Sequence, residues 1–62
     1  MNLFSLNDQV ILVTGSSRGL GWEMAKAMAE AGATVILNGR DRELLSKRQN
    51  ELEKAGLKSA IQ

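Results

Sequence analysis

The sequence predicts an α/β fold, the amino-terminal βαβα(β) part of a doubly wound parallel sheet, and three observations carry that expectation. Two short apolar runs, Val10-Ile11-Leu12-Val13 and Thr34-Val35-Ile36-Leu37, are rich in β-branched residues and too brief for helices. Each precedes a stretch of helical periodicity that closes in Ala-Gly, at Ala31-Gly32 and Ala55-Gly56. The lengths also match. About twelve helical residues span roughly 18 Å and about five strand residues roughly 16 Å, so each helix can return the chain to the start of the next parallel strand.

The first run is apolar on both alternating faces and calls for cover on both sides. Residues 14–21, Thr-Gly-Ser-Ser-Arg-Gly-Leu-Gly, are too rich in glycine for regular structure and form a loop. From Leu20 the pattern is helical: Leu20, Met24, Ala27, Met28 and Ala31 make an apolar stripe, Trp22 reads as packing or partly exposed surface, and Gly32 ends the helix as a left-handed cap. The second strand leaves through Asn38-Gly39-Arg40-Asp41, which is turn chemistry, and Asp41 is suited to cap the next helix. That helix carries Leu44, Leu45, Arg48 and Leu52 as its stripe and Glu43 with Lys47 as an i,i+4 pair. Residues 57–62 read as the beginning of a third strand. Two right-handed crossovers in one direction put both helices on one face and leave the other uncovered. Residues 1–62 are therefore expected to be one piece of a single incomplete domain, with Met1 a natural start, Phe4 packing the amino-terminal arm, and neither cap nor turn at Gln62.

Composition narrows the function. With no cysteine and no histidine there is no disulfide framework, no thiolate or imidazole metal site, and no Cys or His catalysis. Eight Lys plus Arg against seven Asp plus Glu leave a net charge of +1, unclustered, which excludes an electrostatic grip on nucleic acid. The first residues lack the basic start and apolar stretch of a signal peptide, and no apolar run approaches the roughly 20 residues of a membrane span. A cytoplasmic soluble protein is the expectation.

Gly15, Gly19 and Gly21 stand at the junction from strand to helix, where the helix amino terminus offers unpaired N–H groups and a partial positive charge. A phosphate is the natural occupant. Gly15 permits the tight turn out of the strand, Gly19 leaves no Cβ between backbone and pyrophosphate, and Gly21 allows close approach of helix to sheet. The spacing is G-x3-G-x-G, not the G-x-G-x-x-G of the usual dinucleotide fingerprint. An ATP-type P-loop fits worse, because Leu20, Gly21 and Trp22 occupy the places of its Gly, Lys and Ser or Thr. Ser17 can hydrogen-bond the same phosphate, although a serine in a turn as readily satisfies its own backbone.

These residues resemble a known family. Thr14-Gly15-Ser16-Ser17-Arg18-Gly19-Leu20-Gly21 matches the Thr-Gly-x-x-x-Gly-x-Gly motif of the short-chain dehydrogenase/reductases, and the resemblance continues through the helix ending in Ala31-Gly32-Ala33 and the next strand. Within the family, Leu3-Phe4-Ser5-Leu6, Asp8-Gln9-Val10 and Asn38-Gly39-Arg40 are most similar to gluconate 5-dehydrogenases, with 3-oxoacyl-carrier-protein reductases as close relatives. The resemblance implies the amino-terminal part of a Rossmann-type NAD(P)-binding domain, with Gly15, Ser17, Arg18, Gly19, Leu20, Gly21, Asn38, Gly39 and Arg40 around the cofactor. It also implies a homotetramer when full length. The intact enzyme would reversibly oxidise a sugar acid or another small alcohol, foremost D-gluconate to 5-dehydro-D-gluconate.

The cofactor expected is NADP. In dinucleotide folds an Asp or Glu about 20 residues past the glycines binds the adenosine ribose and selects NAD. That place holds Asn38, which would not repel the added phosphate of NADP, and Arg40 two residues on and Arg18 in the loop supply positive charge. The competing reading makes both arginines solvated surface residues and Asp41 a displaced acidic reader.

No catalytic residue is assigned. Proton relay beside a hydride transfer needs a general acid or base, and the chain contains neither Tyr nor His. The family's Asn-Ala-Gly segment, catalytic serine and Tyr-x-x-x-Lys motif have no counterpart here, and Lys26, Lys47, Lys54 and Lys58 do not stand in for its lysine. The residues by themselves leave open a non-catalytic nucleotide-binding module or a truncated product.

Overall fold

A computed structural model of the chain describes residues 6–62; the expectation for Phe4 falls outside them. The elements run β1 (Val10–Val13), α1 (Gly19–Glu30), β2 (Thr34–Leu37), α2 (Arg42–Lys54) and β3 (Ser59–Ile61). All three strands are parallel in the order β1-β2-β3. The expected third strand is thus present, paired through Ile36 with Ala60 and Leu37 with Ile61.

The register decides which residues meet the helices. Ile11 lies beside Val35 and Val13 beside Leu37, and Val35 and Leu37 are wholly buried under α1 and α2. Leu45 and Leu52 of α2 close over them, as the stripe of that helix predicts. The other face carries Val10, Leu12, Thr34, Ile36 and Ala60, and there Val10 is 67 % and Leu12 49 % exposed. A parallel sheet with one bare face is the geometry that two same-handed crossovers produce.

The stripe expected for α1 is corrected. Trp22, Ala25 and Ala29 are the buried residues, Met28 packs at the core's edge, and Leu20 and Met24 are exposed. The reason lies at the start of the helix, where a Cβ on Gly21 would run into the Gly15 carbonyl. That contact fixes the rotation of α1, and the positions four and eight residues on, Ala25 and Ala29, follow Gly21 onto the sheet side. Small side chains let the backbones approach; the larger Leu20 and Met24 turn outward. Trp22, beside this small-residue face, fills the space between α1 and α2.

The helix ends follow local rules. Asp41 accepts from the Leu44 N–H at 3.1 Å as the N-cap of α2. Gly32 (φ 108°) lies in the left-handed region that lets the chain leave α1 directly into β2. Leu6 donates its N–H to the Ala31 carbonyl at 2.9 Å, tying the amino-terminal arm to the end of α1.

The bare face carries a prediction. The 62-residue chain alone has apolar Val10 and Leu12 in water, while backbone ordering still costs about 1–2 kcal/mol per residue. Its circular-dichroism melt is expected to be broad, or the peptide to associate in sedimentation; a sharp cooperative melt of a monomer would contradict this.

Candidate cofactor-binding site

The carboxyl ends of β1 and β2 open side by side, and Ser16 joins them. Its N–H donates to the Asn38 carbonyl at 2.9 Å, and the Asn38 N–H donates to the Ser16 hydroxyl at 2.9 Å. Ser16 is completely buried. The glycine loop and the turn after β2 are thereby held as one surface at the carboxyl edge of the sheet, where open α/β folds bind their ligands.

Above this staple α1 begins without a capping side chain: Arg18 is the N-cap residue, makes no side-chain cap bond, and no acidic residue lies in the first turn. The first-turn amides and the positive end of the helix dipole are thus uncompensated by a side chain of the helix itself. Gly15 (φ 63°) and Gly19 (φ 62°) both need the left-handed region, and beyond Gly19 a Cβ would meet nothing within 4 Å. The open space beside Gly19 can admit an anion held by backbone N–H groups.

The other sequence-derived candidates gather around it. Leu20 is exposed in the first turn. Ser17 is buried, and its hydroxyl lies 3.2 Å from where a Cβ on Gly39 would stand, so the two loops meet closely at Gly39. Arg40 is exposed and, among the described residues, has no ion-pair partner. Arg18 reaches Asp41 at 3.5 Å, an exposed pair of the kind that contributes at most about 1 kcal/mol. Asp41 therefore serves as helix cap and as partner to Arg18.

Two residues were not legible as parts of this site. Ser16 sits inside the glycine motif, but nothing in its spacing tells that its hydroxyl faces Asn38 rather than solvent. Arg48 reads only as a stripe residue of α2; in the structure its Nε–H donates to the Ser17 carbonyl at 2.9 Å, its Nη1 pairs with Glu51 at 3.1 Å, and its guanidinium lies 4.7 Å from the centre of the Trp22 ring.

A three-stranded parallel sheet with two helices on one face and a glycine loop at its carboxyl edge defines a class of fold, the amino-terminal part of a Rossmann-type domain. The short chain dehydrogenase family model matches residues 9–62, and the chain belongs to that family. It is 49 % identical over 59 residues to gluconate 5-dehydrogenase of Gluconobacter oxydans, a match covering 95 % of this chain and 23 % of that protein. Among solved structures it superposes on a 2-keto-3-deoxy-D-gluconate dehydrogenase from Streptococcus agalactiae (TM-score 0.79, 39 % identity, 98 % of this chain and 23 % of that one). It also superposes on a citronellol catabolism dehydrogenase from Pseudomonas aeruginosa (TM-score 0.88, 36 % identity, 98 % of this chain and 25 % of that one). The chain thus spans about a quarter of the length of these relatives. No helix of the described residues is long and apolar enough to cross a membrane.

Two outcomes test the site. Ser16→Ala leaves the Asn38 N–H without its partner and should cost about 1–3 kcal/mol in denaturant unfolding of the intact protein; an unchanged midpoint would show the staple to be dispensable. Gly19→Asn keeps the left-handed backbone accessible while adding a side chain to the open space beside the loop, so dinucleotide affinity in a fluorescence titration should fall at least about tenfold with the fold retained. Full affinity would place the phosphate elsewhere.

Proposed function

We propose that the chain is the cofactor-binding segment of an NADP-dependent short-chain oxidoreductase, and that the intact enzyme reversibly oxidises D-gluconate to 5-dehydro-D-gluconate. The observation that carries the cofactor choice is the end of β2: a carboxamide, Asn38, where NAD-selecting folds place a carboxylate, followed by exposed Arg40, with Arg18 of the glycine loop held 3.5 Å from Asp41 just beyond it. A carboxylate there would repel a 2′-phosphate; an asparagine flanked by guanidinium groups does not, and a guanidinium fork matches phosphate geometry. Gly15, Gly19 and Gly21 would admit the pyrophosphate, with Ser17 and the first-turn amides at Leu20 beside it and Asn38, Gly39 and Arg40 against the adenosine ribose.

When bound, NADP supplies the hydride acceptor for a secondary alcohol. The proton relay that accompanies this is assigned to residues outside these 62, since no Tyr or His is present in them. The substrate rests on the relatives: the 49 % identity to a gluconate 5-dehydrogenase supports a sugar acid. The comparable match to a citronellol catabolism dehydrogenase fits a segment that reads the cofactor and leaves the substrate to the rest of the enzyme. A cytoplasmic homotetramer completes the reading.

Arg40→Ala in the intact protein should weaken NADP binding by about 1.5–3 kcal/mol, one to two powers of ten, and leave NAD binding nearly unchanged. Equal affinity of the unmutated protein for NADP and NAD would contradict the cofactor choice, and absence of NADP-linked gluconate oxidation would contradict the substrate.

A further inference from the structure

We infer that Arg48 is the positioning residue of the glycine loop, setting affinity for the dinucleotide as a class without taking part in the choice between NADP and NAD. The inference rests on the reading of this loop as the dinucleotide cradle.

The carbonyl of Ser17 and the N–H of Arg18 belong to the same rigid plane, so a bond to one fixes the direction of the other. Arg48 Nε–H donates to that carbonyl at 2.9 Å across 31 residues of sequence. The next plane is held by α1 itself, through a longer bond of 3.4 Å from the Trp22 N–H to the Arg18 carbonyl. Between these two planes lie only the extended angles of Arg18 (φ −155°, ψ 168°), and left-handed Gly19 (φ 62°) follows the second plane. Those are the backbone angles that aim the loop amides.

Arg48 is itself held. Glu51, one turn on, takes its Nη1 at 3.1 Å, and the Trp22 ring lies 4.7 Å from the guanidinium carbon, within cation–π range. The arginine therefore links α2 to both the loop and the first turn of α1. Its fixed fork explains why arginine suits this place: Nε serves the loop while Nη1 serves Glu51.

The test uses side-chain length. Glutamine carries its amide nitrogen at the same number of bonds from Cα as arginine Nε, so Arg48→Gln keeps a donor in place and removes the charge. Methionine carries a methyl there, so Arg48→Met keeps the length and removes the donor. In fluorescence titrations of the intact protein with NADPH and NADH, Arg48→Met should lose about tenfold for both cofactors by the same factor, and Arg48→Gln should stay within about threefold of the unmutated protein. In turnover the Arg48→Met effect should fall on KM for cofactor and spare kcat. Unchanged affinity in Arg48→Met, equal losses in both variants, or a loss confined to NADPH would overturn the inference; the last would make Arg48 a phosphate ligand. Should Arg48→Met fail to fold, Arg48→Lys, whose nitrogen lies one bond farther out, is expected to lose affinity for both cofactors equally, and retained affinity would overturn the inference. If the unmutated protein binds neither cofactor, the dinucleotide reading falls with it; if it binds both and Arg48→Met does too, only the positioning role falls.

Discussion

The reciprocal pair of hydrogen bonds between Ser16 and Asn38 is the constraint on which the site depends. A parallel sheet places the carboxyl ends of β1 and β2 at the same edge, but pairing through Val13 and Leu37 does not by itself align the loops beyond them. Ser16 extends the contact by one step, using its backbone N–H and its hydroxyl on the two backbone groups of Asn38. Both groups of Asn38 are thus satisfied by a buried partner, and breaking either bond would leave a polar group without one at the sheet edge. The consequence is functional: the glycine loop and the Asn38-Gly39-Arg40 turn form a single surface.

Close approach is the second determinant. Gly21 lies against the Gly15 carbonyl, where an added Cβ would force the backbone to shift, and Gly39 lies closely against the Ser17 hydroxyl. They bring α1 onto the strand exit and bring the two loops together. The same approach sets the rotation of α1, and from that follow the burial of Trp22 and the stack of Arg48 on its ring. One glycine contact thus reaches, through helix rotation, to the residue that braces the loop from α2.

Much of the fold was legible in the sequence because its signals are local. The strand runs, the helix ends at Gly32 and Gly56, the Asp41 cap and the stripe of α2 each depend on spacing or on residues within one turn of each other. The buried face of α1 differs from the stripe that periodicity predicts, because periodicity counts apolar residues and ignores their size. Leu20, Met24 and Ala27 are at helical spacing, but the Gly21, Ala25 and Ala29 face permits closer packing and takes the sheet side. Gly15, Gly19 and Gly21 were legible as conformational necessities. Ser16 and Arg48 were not, since their partners lie 22 and 31 residues away in sequence.

We propose that the amino terminus of α1 and the turn after β2 act as one dinucleotide site. Amide chemical shifts of the isotope-labelled intact protein, followed during titration with NADPH, test it most directly. Residues 15–21 and 38–40 are expected to shift together with a single binding constant, with the largest changes at the first-turn amides of α1. Shifts confined to one of the two segments, or lying on the bare face of the sheet around Val10 and Leu12, would contradict it.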